Sequence, residues 1–123
     1  MADKAKQDAL DIPEAKASVT FVRMSPRKVQ IVLDLIRNQP ADKATAILKH
    51  TPRAACEPVL KLLKSAMANA ENNKDMDPTR LYVAKCWTGP GPTLKRMRFR
   101  ARGGTTRILK KTAHINIVLR EAE

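Results

Sequence analysis

The stretch Gly91-Pro92-Thr93-Leu94-Lys95-Arg96-Met97-Arg98-Phe99-Arg100-Ala101-Arg102-Gly103-Gly104 decides how the second half of this chain folds. Arginine stands at every second position from Arg96 to Arg102, with Met97, Phe99 and Ala101 in the gaps. A period of two is the period of a β-strand, and glycine and proline bracket the run as turn residues. No Asp or Glu occurs from Pro78 through Arg120. The stretch therefore cannot neutralise itself and needs an anion from outside, best an extended polyanion.

The flanks continue the same period. Leu81, Val83, Lys85 and Trp87 alternate with Tyr82, Ala84 and Cys86. Ala113, Ile115, Ile117 and Leu119 alternate with Thr112, His114, Asn116 and Val118. Both segments read as strands with one buried face, paired antiparallel and joined by the arginine run. Placed on residues 86–108, the run becomes a hairpin with arms of about ten residues, or about 30 Å. A lone two-stranded ribbon is marginal in water, so a partner supplying negative charge to both faces is expected to order it. Gly91, Gly103 and Gly104 are expected to allow tight turns and close backbone approach. Trp87 is expected to anchor the hairpin base to the core.

Upstream the period is helical. Ser18-Val19-Thr20-Phe21-Val22 reads as a third strand, and Ser25-Pro26 as a helix start, with serine capping and proline in the first turn. Val29, Val32, Leu33 and Ile36 then form one apolar face, which Asn38 and Pro40 end. A short helix from Asp42 turns Ala44, Ile47 and Leu48 inward. Thr51-Pro52 repeats the start signal for a longer helix to about Asn72, whose buried face is Ala55, Val59, Leu62, Leu63, Ala66, Met67 and Ala70. Residues 1–16 read as a loosely ordered extension, 17–120 as one globular domain including the hairpin, and 121–123 as a tail.

Composition narrows the function. The chain has 123 residues and a formal net charge of +12. Residues 81–123 hold ten bases and two acids, so two thirds of the net charge lies in that last third. Such a balance points to nucleic acid or an anionic membrane. The run has too few bulky apolar residues for a membrane-active hairpin, and no apolar stretch is long enough to span a bilayer. Aromatics are only 3% of residues, which argues against a base-stacking platform of the single-strand-binding kind and for backbone contact within folded RNA. Eight bases (Lys95, Arg96, Arg98, Arg100, Arg102, Arg107, Lys110 and Lys111) would give a log–log salt slope of roughly −6 if all met phosphates. Arg23, Arg27 and Lys28 form a second cluster at the first helix start. The two early helices imitate a helix-turn-helix only weakly, because the second lacks a row of base-reading polar residues. Cys56 and Cys86 have no metal or disulfide spacing and read as core residues. His50 and His114 lie near no nucleophile or carboxylate pair and read as structural or RNA-facing. No metal constellation, phosphate loop or catalytic dyad is visible, so neither a cofactor nor catalysis is expected.

In order along the chain stand Met24-Ser25-Pro26-Arg27-Lys28-Val29, Leu33-Asp34-Leu35-Ile36-Arg37, Leu63-Lys64-Ser65-Ala66-Met67-Ala68-Asn69-Ala70-Glu71-Asn72, Gly91-Pro92-Thr93-Leu94-Lys95-Arg96 and Arg107-Ile108-Leu109-Lys110-Lys111-Thr112-Ala113-His114-Ile115. Over residues 17–120 this order resembles the L-twenty-two family of bacterial large-subunit ribosomal proteins. The resemblance implies an α+β fold of three helices on a small three-stranded antiparallel sheet, with a long protruding β-hairpin. It implies a structural, non-enzymatic role on the cytoplasmic ribosome, with 23S ribosomal RNA, neighbouring large-subunit proteins and the nascent peptide as partners. Neither a membrane nor a homo-oligomer is implied. Arg23, Arg27, Lys28 and the eight later bases would contact RNA. Leu94, Lys95, Arg96, Arg100, Arg102, Gly103 and Gly104 would lie by the exit tunnel, near the macrolide pocket. Gly104 stands where the family usually has a basic tip residue, and Gly89-Pro90 where it often has an acidic pair. The competing reading is a free nucleic-acid-binding regulator or RNA chaperone.

Overall fold

Ala15, Ile115, Ile117, Leu119 and Val83 form the apolar floor on which the helices lie, and each is buried. The coordinates are a computed structural model, and they describe residues 13–122. Strand β1 is Glu14–Val22, β2 Leu81–Pro90 and β5 Ala113–Glu121, and they form one antiparallel sheet in the order β1-β5-β2. Helices α1 (Pro26–Ile36), α2 (Ala41–His50) and α3 (Cys56–Lys74) cover one face of it. Strands β3 (Leu94–Phe99) and β4 (Thr105–Lys110) pair only with each other, as a second, two-stranded sheet. The expected α+β architecture of three helices on a three-stranded sheet is present.

The helical faces pack as the spacing requires. Val29, Val32, Leu33 and Ile36 of α1 share one core with Val59, Leu63, Ala66 and Ala70 of α3, all with no exposed surface. Ala66 and Ala70 add little bulk, so α3 lies close on the sheet and on α2. After α1, Asn38 takes a left-handed conformation (φ 62°). Its N–H donates to the Val83 carbonyl (2.9 Å), and Val83 N–H donates back to Gln39 (3.0 Å). The helix end is thereby tied to β2.

Four local expectations are corrected. Strand β1 starts at Glu14, inside the stretch read as an extension, because Ala15 fills the core and Glu14 pairs with Arg120 across the sheet. Residues 1–12 of that extension lie outside the described residues. Glu121, read as tail, ends β5, and its carboxylate accepts from Asp77 N–H (2.6 Å). Thr51-Pro52 does not start α3, which begins at Cys56. Proline holds Thr51 extended, and the threonine closes α2 instead, its hydroxyl donating to the Ile47 carbonyl (2.6 Å). The fourth correction is in β2. Its register shifts between Val83 and Lys85, so the alternation reverses after Ala84. Leu81, Val83 and Cys86 point inward and are buried, while Lys85 and Trp87 point out and are exposed. A bulge of one residue spares the core an unpaired lysine. Trp87 is thus no core anchor; it is 47% exposed.

Candidate nucleic-acid interface

Pro90 and Ala113 are the last pair of the body sheet, and the arm starts four residues beyond Pro90, at Leu94. Pro92 has no N–H for a ladder, so the body ladder cannot continue through it into the arm. The junction is held by Gly91 N–H donating to the Thr112 carbonyl (3.0 Å) and the Thr112 hydroxyl donating to the Pro92 carbonyl (2.6 Å). A Cβ on Gly91 would lie 2.5 Å from Thr112 Oγ1 and 3.1 Å from the His114 ring, so only glycine fits there. His114 packs beside this junction. It accepts from Phe21 N–H (3.2 Å) and meets the Phe21 ring edge-on at 5.2 Å.

Residues 86–90 belong to the body sheet, so the arm is shorter than the hairpin read over 86–108. Six residues per strand span about 20 Å. Every residue of β3 is exposed, and no helix or strand of the body packs extensively on β3 or β4. Cross-strand register divides the arm into two faces. One carries Leu94, Arg96 and Arg98 opposite Lys110, Ile108 and Thr106. The other carries Lys95, Met97 and Phe99 opposite Leu109, Arg107 and Thr105. Bases stand on both faces, and the second adds a row of exposed apolar side chains ending at Phe99, which is 86% exposed.

The turn at the arm's end runs from Arg100 to Gly104. Arg100 N–H donates to the Gly104 carbonyl (2.7 Å), and Arg100 Nε to the Thr106 hydroxyl (2.8 Å). Arg102 (φ 60°) and Gly103 (φ 71°) supply the left-handed pair that reverses the chain. Gly104 has an ordinary negative φ of −72° and room for a side chain. Of the two tip glycines, only Gly103 meets the backbone need expected of both.

The second basic surface is a groove of about 780 Å³ between the α1 start, the Pro52–Ala55 segment and the arm's root. Arg23, Lys28, Arg53, Lys110 and Lys111 line it, with no acid among its residues. An adjoining hollow adds Arg27 beside Gly91 and Lys111. Arg23 donates to the Lys111 carbonyl and so bolts the α1 start to the arm's root. Ser25 makes no side-chain cap, contrary to the capping expectation; its carbonyl accepts from Lys28 and Val29 instead. With no acid in its first turn, α1 presents an unneutralised positive end toward the groove. The two clusters expected from sequence thus meet: Arg23, Arg27 and Lys28 stand beside Lys110 and Lys111, while Lys95, Arg96, Arg98, Arg100, Arg102 and Arg107 lie out along the arm. Arg53 was missed. It is a lone base between helices, and its only signal was the Thr51-Pro52 break that turns it toward the groove.

No group of three or more potential metal ligands occurs among the described residues. No described helix is long and apolar enough to cross a membrane. Cys56 and Cys86 are free and buried, and burial pushes both thiols above the ordinary range.

Known proteins resemble this chain over most of its length. The family model described as "Ribosomal protein L22p/L17e" matches residues 17–120. A protein named large ribosomal subunit protein uL22 from Clostridium tetani is 54% identical over 110 residues, covering 89% of this chain and 99% of its own. Its namesake from Clostridium perfringens is 55% identical over 108 residues, covering 88% and 97%. That from Caldicellulosiruptor saccharolyticus is 47% identical over 121 residues, covering 98% and 99%. The chain belongs to the ribosomal protein L22p/L17e family, whose members are structural, non-enzymatic proteins of the large ribosomal subunit.

Proposed function

We propose that this chain binds 23S ribosomal RNA on the cytoplasmic ribosome, bridging RNA segments with the groove and the arm. One observation carries the reading: an acid-free cationic ribbon stands clear of the body, with all of β3 exposed. Such a ribbon gains little from its own pairing and repels itself, so its form makes sense only inside a polyanion. Arginine suits that setting, because its planar fork grips phosphate with two hydrogen bonds. The groove holds the body against one RNA segment while the arm reaches another. Leu94, Lys95 and Arg96 at the arm's root, with Arg100, Arg102, Gly103 and Gly104 at its tip, are the residues that would border the exit tunnel and its nascent peptide. Neighbouring large-subunit proteins complete the set of partners.

Cosedimentation tests this. The tagged chain should travel with the large subunit through a gradient and survive a moderate salt wash. A chain that stays in the supernatant would be a free regulator or chaperone.

A further inference from the structure

The outer face of the body sheet holds a feature that neither the arm nor the groove uses. Register places Trp87, Asn116 and Ser18 in one row across β2, β5 and β1, and Lys85, Val118 and Lys16 in the next. A shallow hollow of about 270 Å³ lies between these rows, lined by Trp87, Asn116, Ser18, Val118 and Lys16. Val118 shares this outward face yet is only 3% exposed, so it forms a closed apolar floor. Trp87 lies open beside it. Among the described residues Glu14 is the acid of this face, and it is ion-paired to Arg120. Lys16 and Lys85 are exposed and form no ion pair among the described residues.

We propose that this hollow holds one unpaired RNA base, stacked on the Trp87 indole. This rests on RNA being the chain's partner. An indole face suits any base, the Asn116 amide can both donate to and accept from a base edge, and the two lysines stand where flanking phosphates would pass. Lysine is depleted at the cores of protein–protein interfaces, so two exposed lysines around the tryptophan favour RNA over a protein neighbour. One aromatic makes one base site, which fits the low aromatic content.

Trp87 is the only tryptophan in the chain, so its emission reports this site alone. The test titrates the intact protein with an end-labelled single-stranded RNA of about ten nucleotides, and separately with a duplex of the same length, following anisotropy and tryptophan emission together. Single strands should quench Trp87 as they bind, whereas the duplex should bind through the arm and groove without quenching. Trp87→Ala should weaken single-strand binding about 5- to 150-fold, the range for one stacked base, at unchanged salt slope. It should leave duplex binding and the helical circular dichroism unchanged, and Trp87→Phe should restore most of the affinity. Emission that stays constant while anisotropy reports saturation by the single strand would overturn the site and leave this face to a protein. If neither RNA binds, the RNA-binding reading falls, and the base site with it.

Discussion

Gly91 and Gly104 show how differently two glycines of one ribbon are constrained. Gly91 is packed against Thr112 and His114, so Gly91→Ala should cost about 1–3 kcal/mol by overpacking the junction. Gly104→Arg should change stability by no more than about 0.5 kcal/mol, because its φ is ordinary and an added Cβ would meet its neighbours only at van der Waals distance. Thermal unfolding of both variants checks the pair. A basic side chain at position 104 is therefore compatible with this backbone, and glycine there is not required by the turn. Cys86 supports a pH prediction. Burial, only partly offset by Arg37, raises its thiol above the unfolded value, so the native state keeps a proton that the unfolded state releases. The stability tied to that thiol is complete below the unfolded pKa and declines as pH rises through it. The loss reaches about 1.4 kcal/mol per pH unit at most above roughly pH 8.5. Denaturant unfolding from pH 7 to 10 should show a decline that is smaller in Cys86→Ala.

Among the elements, the helices were readable because their apolar residues keep one period from end to end. Strand β2 was readable only to Val83. Beyond it, a strict alternation put Trp87 inside, and no residue type at Ala84 announces the bulge that reversed it. The start of α3 was misplaced for a related reason: threonine before proline looks the same whether it opens one helix or closes another. The arm was recognised from its charge, but its length was not, since β2 and the arm share one period and only the Gly91–Thr112 junction divides them. That division has a measurable consequence. Deleting Leu94 to Arg96 removes residues that do not pack extensively on the body, so the body should keep its thermal midpoint and helical signal. A large loss of stability in the isolated protein would mean that the arm supports the core.

Across the whole molecule, the body and the arm divide the work. The body buries an apolar core and brings the groove bases together; the arm carries charge outward. The core, the family membership and most groove and arm bases could be read from sequence, because period, charge and ordered motifs are local properties. The meeting of Arg23, Lys28 and Arg53 with Lys110 and Lys111 could not, because it depends on how the α1 start packs beside the arm's root. On this reading the arm is above all a phosphate-binding device. The most direct test is the salt dependence of binding to 23S ribosomal RNA, comparing the native chain with Arg96, Arg98, Arg100 and Arg102 all changed to Ala. The native log–log slope should be about −6 or steeper, and the quadruple variant should lose about 3 of it, folded as before. Equal slopes for the two proteins would show that the arm is not the contact surface.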